Sequence, residues 1–235
     1  MFSFKKFIVE QDRTAMKIGT DGVLLGAWTP IPNMPKVILD IGTGTGIIAL
    51  MLAQRSSTKQ IDAIEIDQKA YEQAIDNFEN SHWSERLFCY NATLDEFVEK
   101  HEDEYDLIVC NPPFYSEDYK SNNKQRDLAR FQEAMPFESL VEAVAMLLSE
   151  NGLFSVVIPF KEEQKFLNLA KKQELFPLKI TRVRGTPLSE TKRSLLAFGR
   201  NQNLNFHQDE LIIETDRHNY TQEYIALTKD FYLKM

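Results

Sequence analysis

Short β-branched apolar runs alternate along this sequence with longer amphipathic stretches, and no other feature constrains the fold as strongly. The runs are continuously apolar, which is typical of strands buried on both faces of a sheet. The stretches between them have helical spacing. Alternating strands and helices predict a mostly parallel, doubly wound α/β sheet with helices on both faces. The five main runs begin at Val37, Ile61, Leu87, Leu107 and Leu153, and shorter ones follow at 178–183, 194–198 and 211–213.

The composition fits one packed domain. The chain has 235 residues, of which 43% are hydrophobic and 26% charged. Its longest apolar run, from Ile47 to Ala53, is far shorter than the ~20 residues that cross a bilayer, so we expect no membrane association. The two cysteines lie in apolar runs typical of buried strands, which favours a reducing cytoplasm. We expect a monomer with an N-terminal segment, residues 1–34, and a main domain, residues 35–235.

A glycine-rich loop directly follows the first predicted strand. It reads Asp40-Ile41-Gly42-Thr43-Gly44-Thr45-Gly46 and precedes a helical stretch. Glycines allow positive φ angles and let the backbone amides at a helix N-terminus approach a ligand. A dinucleotide fingerprint counted from Gly42 would need glycine at position 47, where the chain has Ile47, so the spacing disfavours NAD. A tight turn that holds no ligand is the alternative.

The loop resembles the first motif, D-x-G-x-G-x-G, of the class I S-adenosylmethionine-dependent methyltransferases. The resemblance implies a Rossmann-like sheet of seven mostly parallel strands. It also implies that S-adenosylmethionine is the cofactor and that the loop residues Asp40, Gly42, Gly44 and Gly46 bind it.

Two later strand ends continue this resemblance. Glu65 ends the second predicted strand, where a carboxylate accepts hydrogen bonds from both ribose hydroxyls of the cofactor. An exposed charge that opens the next helix is the alternative, and it suits Asp67 better. After the third strand the family carries an acidic residue that accepts from the adenine amino group. This chain has Asn91-Ala92 there, which leaves the adenine contact open between that pair and Asp95.

The fourth predicted strand ends in Asn111-Pro112-Pro113-Phe114, the most specific motif of the chain. Proline ends the strand and keeps the preceding residue extended, at the crevice where this fold binds ligands. The Asn111 side-chain oxygen and the Pro112 carbonyl oxygen are suited to accept both hydrogens of a conjugated amino group, with Phe114 stacked on the planar substrate. We expect these three residues to be catalytic without a metal ion, since the histidines lack metal-ligand spacing. A rigid strand exit is the alternative.

The flanking sequence resembles the bacterial tRNA(Val) adenine-37 N6-methyltransferases over most of the chain, including residues 2–28, 40–46, 111–114, 126–130 and 187–200. The resemblance implies N6-methylation of an adenine beside the valine anticodon. It also implies that residues 17–22 pack over the cofactor, which makes Lys17 and Asp21 binding candidates. A solvated lysine and a helix cap are equally good interpretations of these two residues.

The N-P-P-[FY] motif also occurs in guanine-N2 ribosomal RNA methyltransferases and in glutamine methyltransferases of release factors. The latter carry a helical domain before the glycine loop, and only 39 residues precede Asp40 here. The duplicated-domain guanine enzymes need a longer chain. A scaffold that binds the cofactor without activity is a non-enzymatic alternative, which the complete motif disfavours.

An RNA substrate requires basic residues, although the net charge of the chain is −8. Residues 155–200 carry ten basic and four acidic residues, so a local basic surface is expected there. A solvated helix face is the alternative for its lysines. The candidates for RNA contacts are Arg182, Arg184, Lys192 and Arg193 beside two predicted strands, and Lys124, Arg126 and Arg130 in a long polar stretch after Phe114.

Overall fold

The five main apolar runs form adjacent parallel strands in a computed structural model, which describes residues 1–31, 35–100, 104–113, 135–202 and 206–235. The hydrogen-bonded order across this part of the sheet is β7-β6-β3-β4-β5. Chain order therefore reverses between β3 and β6, and ligands of such sheets bind at the carboxyl ends of the strands beside this point. The strands are β3 (Val37–Ile41), β4 (Gln60–Glu65), β5 (Leu87–Asn91), β6 (Tyr105–Cys110) and β7 (Leu148–Pro159).

Three further strands extend the sheet beyond β7. β9 (Thr191–Gly199) runs antiparallel between β7 and β8 (Phe176–Arg184), and β10 (His207–Ile212) lies parallel to β8 at the edge. The sheet thus has eight strands where seven were expected. The first four residues of β10 are exposed and polar, so the apolar pattern of the sequence predicts only the end of this strand, near Leu211.

Two apolar clusters cover the two faces of the sheet. Along β6, Leu107 and Val109 belong to one cluster, whereas Ile108 and Cys110 belong to the other, as the alternation of side chains along a strand requires. The first cluster includes residues of α1 (Thr20–Trp28), α2 (Ile47–Arg55), α3 (Gln68–Glu79) and α7 (Gln222–Thr228). The second includes residues of α4 (Leu94–Lys100), α5 (Phe137–Leu147) and α6 (Glu163–Lys172). Burial on both faces explains the continuous apolar runs.

The N-terminal residues pack into the first cluster. The short strands β1 (Phe2–Ser3) and β2 (Ile8–Val9) form a hairpin that contacts the C-terminal residues, since the backbone amide of Lys5 donates to the Phe231 carbonyl oxygen over 2.8 Å. Helix α1 lies on α2, where Gly26 faces the Met51 side chain. Trp28 at the end of α1 donates from its indole Nε1 to Thr181 Oγ1 over 2.8 Å. A small antiparallel pair, β11 (Glu214–Asp216) and β12 (Asn219–Tyr220), precedes α7. Among the described helices, none is long and apolar enough to cross a membrane.

Candidate active site

Four neighbouring strands end in one row at the carboxyl edge of the sheet. Ile41 of β3 is in register with Ile64 of β4 on one side and with Cys110 of β6 on the other. The next residues, Gly42, Glu65 and Asn111, therefore lie side by side on strands about 4.8 Å apart. Glu65 is in register with Asn91 at the end of β5. Residues predicted from three separate motifs are thus brought together along one crevice.

The glycine loop turns tightly between β3 and α2. The amides of Gly42 and Thr43 donate to the Ile64 carbonyl oxygen over 2.9 and 3.0 Å, and Gly46 donates to Thr43 over 2.9 Å. All three glycines have positive φ angles, 69°, 56° and 80° in chain order. A Cβ atom on Gly42 or Gly44 would meet no described heavy atom within 4 Å, so the loop presents bare backbone to open space. A Cβ atom on Gly46 would lie 2.5 Å from Phe78 of α3.

Asp40 lies beneath this loop and is fully buried. Its Oδ2 accepts from Thr43 Oγ1 over 2.6 Å and from the backbone amide of Ala49 over 3.2 Å. Its Oδ1 has no hydrogen-bond partner within the described part of the chain. Burial outweighs the two hydrogen bonds and raises the pKa of Asp40 to about 7.

Glu65 is held against the loop by two backbone amides. Its Oε2 accepts from Gly44 over 2.8 Å and its Oε1 accepts from Asp67 over 2.9 Å. Burial raises the pKa of Glu65, and these two hydrogen bonds oppose that effect. The carboxylate is therefore oriented at the β4 end before any ligand arrives.

Asn91 and Ala92 close the row on the β5 side. Asn91 donates from Nδ2 to the carbonyl oxygens of Glu65 and Ile66 over 2.9 and 3.2 Å, and the Ala92 amide donates to the Glu65 carbonyl oxygen over 3.3 Å. These contacts fix the orientation of the Asn91 amide group. No described residue donates to its Oδ1, which makes that oxygen an available acceptor.

The residues of the row fit S-adenosylmethionine. The open faces of Gly42 and Gly44 leave room for a ligand against the backbone, and Asp40 contributes a buried oxygen without a partner. A buried acceptor of this kind is normally satisfied, so a donor from a ligand is a physical explanation for it. Glu65 presents an oriented carboxylate at the end of β4, and a carboxylate can accept hydrogen bonds from two hydroxyl groups at once.

Asn111 and Pro112 lie on the other side of the glycine loop. Asn111 is half-buried and Pro112 is buried. The Asn111 Nδ2 is 3.8 Å from the position that a Cβ atom on Gly22 would occupy, so the Asn111 side chain lies beside α1. Phe114 lies outside the described residues, as do Lys124, Arg126 and Arg130. Their predicted roles stay predictions.

Lys17 and Asp21 form contacts within the protein. Lys17 donates from Nζ to the carbonyl oxygens of Gln11 and Thr14, which holds the chain before α1 in place. Asp21, in the first turn of α1, forms an ion pair with Arg193 of β9 over 2.7 Å. These contacts give both residues a structural role. Their binding of the cofactor stays a prediction.

The predicted RNA contacts at β8 and β9 also have partners inside the protein. Arg182 forms a bidentate ion pair with the buried carboxylate of Glu163, which also accepts from the Ser194 hydroxyl. Arg184 donates from Nε to the Ser189 carbonyl oxygen over 2.7 Å. Lys192 is exposed. Lys192 is therefore accessible to solvent, whereas Arg182, Arg184 and Arg193 form ion pairs or hydrogen bonds within the protein.

Sequence reasoning did not identify Gly22 as a neighbour of Asn111, or Glu163 as the partner of Arg182. The spacing of Gly22 and Gly26, four residues apart in an apolar helix, was the available signal for close packing of α1. Nothing in the sequence marked Glu163 as buried, because it lies among charged residues at the start of α6. Among the described residues, no group of three or more His, Cys, Asp or Glu side chains is arranged to hold a metal ion.

Comparisons with known proteins agree with this geometry. Residues 22–172 match the model of the family "Methyltransferase small domain". A tRNA1(Val) (adenine(37)-N6)-methyltransferase of Flavobacterium psychrophilum is 73% identical over the full length of both chains, and one of Bacteroides fragilis is 44% identical over 100% of this chain and 98% of the relative. A predicted O-methyltransferase from Agrobacterium tumefaciens has a similar fold, with a TM-score of 0.70 and 19% identity over 90% of this chain and 96% of that one. The chain belongs to the tRNA1(Val) (adenine(37)-N6)-methyltransferase family.

Proposed function

We propose that this protein methylates the N6 amino group of an adenine in tRNA, namely adenine-37 beside the anticodon of valine tRNA. The observation that carries the proposal is the row of strand ends, which aligns Asn111 and Pro112 with the glycine loop and Glu65. The names of the relatives supply the substrate. The guanine and glutamine alternatives have no comparable support.

S-adenosylmethionine is the methyl donor of this family, and when bound it supplies a methyl group activated by its sulfonium. Glu65 and the backbone of the glycine loop hold and orient it. The Asn111 side-chain oxygen and the Pro112 carbonyl oxygen accept the two N6 hydrogens of adenine. With the cofactor bound, these contacts would direct the nitrogen lone pair at its methyl group and stabilise the positive charge that develops on the nitrogen, and S-adenosylhomocysteine would be the leaving group. The alkylated amine then loses a proton to water, so a strong general base is not needed.

The test compares methyl transfer from labelled cofactor into unmodified valine tRNA, the same tRNA with guanine at position 37, ribosomal RNA and a release factor. We expect N6-methyladenosine in the first substrate alone. Label in guanosine or in protein would leave the fold intact and contradict the proposed substrate.

Asn111→Ala tests the chemistry on the same substrate. We expect turnover to fall at least ~10²-fold, while the affinity for S-adenosylhomocysteine stays unchanged. The matched control is Asn168→Ala on the exposed face of α6, which should retain full activity. Near-normal turnover of the Asn111 variant would refute the proposed mechanism.

The proposal includes a cytoplasmic monomer that needs no metal ion. Full activity in the presence of EDTA and elution at the mass of a monomer would support these expectations. A loss of activity that added metal restores, or elution as a stable dimer, would contradict them.

A further inference from the structure

The loop between β8 and β9, residues 185–190, lies at the same edge of the sheet as the active site. β8 runs parallel to β7 and β6, and β9 begins where β8 ends. Arg193 of β9 is in register with Pro159, three residues beyond Val156, which pairs with Cys110. Strand spacing and rise place the tip of the loop on the order of 20 Å from Asn111. An RNA stem-loop bound at the active site is wide enough to reach the tip of this loop.

Hydrogen bonds within this loop and to Arg184 hold it in place. Arg184 donates to the carbonyl oxygens of Pro187 and Ser189 and also lies 3.5 Å from Glu210. The Ser189 hydroxyl accepts from the Thr186 amide over 2.8 Å and donates to the Thr186 carbonyl oxygen over 2.9 Å. The hydrogen bonds restrain the loop in one conformation, so its tip is preorganised for contact.

Leu188 at the tip is 97% exposed, the highest fraction among the large exposed hydrophobic side chains of the described chain. A single exposed leucine is common on protein surfaces. Leu188 lies on a loop that internal hydrogen bonds hold in place, at the edge of the sheet that carries the candidate active site. Packing within the protein does not explain why a leucine is placed there. The nearby charges, exposed Glu190 and Lys192, are of opposite sign. The tip therefore lacks the cluster of cations that phosphate binding requires, and its distinctive chemistry is apolar.

We propose that Leu188 packs against an unstacked base of the substrate RNA, at a site separate from the reacting adenine. The proposal rests on the proposed function. Adenine N6 reaches Asn111 only when the base leaves the stack of the RNA, which exposes apolar faces of neighbouring bases. Apolar side chains such as leucine pack between bases in protein–DNA complexes, and proteins that recognise RNA loops stack splayed bases on their side chains, most often aromatic ones or arginine. A preorganised tip makes this contact with little loss of conformational freedom.

Leu188→Ser and Leu188→Ile test this contact in the full-length protein with unmodified valine tRNA. We expect the serine variant to lower kcat/KM about tenfold through KM, and the isoleucine variant to retain activity, because the contact depends on apolar area. Affinity for S-adenosylhomocysteine and the Tm should not change. The matched control is Met146→Ser. Met146 is 69% exposed and lies near the end of α5, where the amino ends of the parallel strands lie, on the side of the sheet away from the active site.

Salt distinguishes this contact from phosphate binding. The loss in Leu188→Ser should be equal at low and high salt, whereas Lys192→Ala should reduce the salt dependence of tRNA binding. If Leu188→Ser has the kcat/KM of the wild type, or if its defect disappears at high salt, the proposed contact is wrong. If the wild type binds S-adenosylhomocysteine but does not methylate the tRNA, the proposed function fails and this inference fails with it.

Discussion

Asp40→Asn separates the electrostatic cost of the buried carboxyl group from its structural role. The asparagine oxygen can accept the same hydrogen bonds from Thr43 and Ala49, so the loop geometry is preserved. The substitution removes the ionisation of a fully buried group whose Oδ1 has no partner in the described structure. Because asparagine places an amide group at the position of Oδ1, the pH-dependent part of the difference between the two proteins without cofactor isolates the effect of charge.

The size of the effect follows from the shift in pKa. Burial raises the pKa of Asp40 from its ordinary value of 3.8 to about 7 in the folded protein. Below pH 3.8 the group is protonated in both states and has no effect. As the pH rises from there to about 7, the unfolded chain ionises Asp40 while the folded protein does not, so stability falls. The full destabilisation is about 4 kcal/mol above the folded pKa.

Urea-induced unfolding at about pH 5 and about pH 8 measures this change. The free energy of unfolding of the wild type, relative to that of Asp40→Asn, should fall by about 2.5 kcal/mol between the two conditions. The control is Asp230→Asn, which makes the same chemical change at an exposed position. A constant difference between the wild type and Asp40→Asn would show that the buried carboxyl group is not destabilised and would refute the argument.

Two other substitutions test the packing around the site. Gly46→Ala should lower the free energy of unfolding by about 2–4 kcal/mol, because its positive φ and its contact with Phe78 both oppose a Cβ atom. Urea unfolding checks this, and an unchanged midpoint would contradict it. Arg182→Ala should destabilise the protein by about 2 kcal/mol, because it leaves the Glu163 carboxylate buried without its cation. If stability is unchanged and only the KM for tRNA rises, Arg182 binds RNA instead.

The sequence predicted the central sheet and the neighbouring positions of its strand ends well, because both depend on local signals. Continuous apolar runs identify buried parallel strands, and parallel strands bring their carboxyl ends to one edge. Gly42 and Asn111 directly follow two such strands and Glu65 ends a third, so their proximity was implied by the order of the strands. The edge strand β10 was predicted only over residues 211–213, because its first four residues are exposed and polar and carry no apolar pattern.

The partners of the basic residues were not predictable in the same way. Whether an arginine contacts solvent or a buried carboxylate depends on residues far away in the chain. Arg182 pairs with Glu163 across the β8–α6 packing, and Arg193 pairs with Asp21, which is 172 residues distant in sequence. A count of charges in residues 155–200 therefore does not reveal that Arg182 and Arg193 are paired with carboxylates.

Helix α1 connects the cofactor side of the site with its substrate side. Gly22 lies beside both Ile47, the first residue of α2 after the glycine loop, and the Asn111 side chain. The preceding residue, Asp21, forms an ion pair with Arg193 of β9, the strand that follows the Leu188 loop. One turn of α1 thus contacts the helix after the glycine loop, the Asn111 side chain and the strand next to the proposed RNA contact. Because these contacts lie within two consecutive residues, a shift of α1 would alter the geometry on both sides of the site at once.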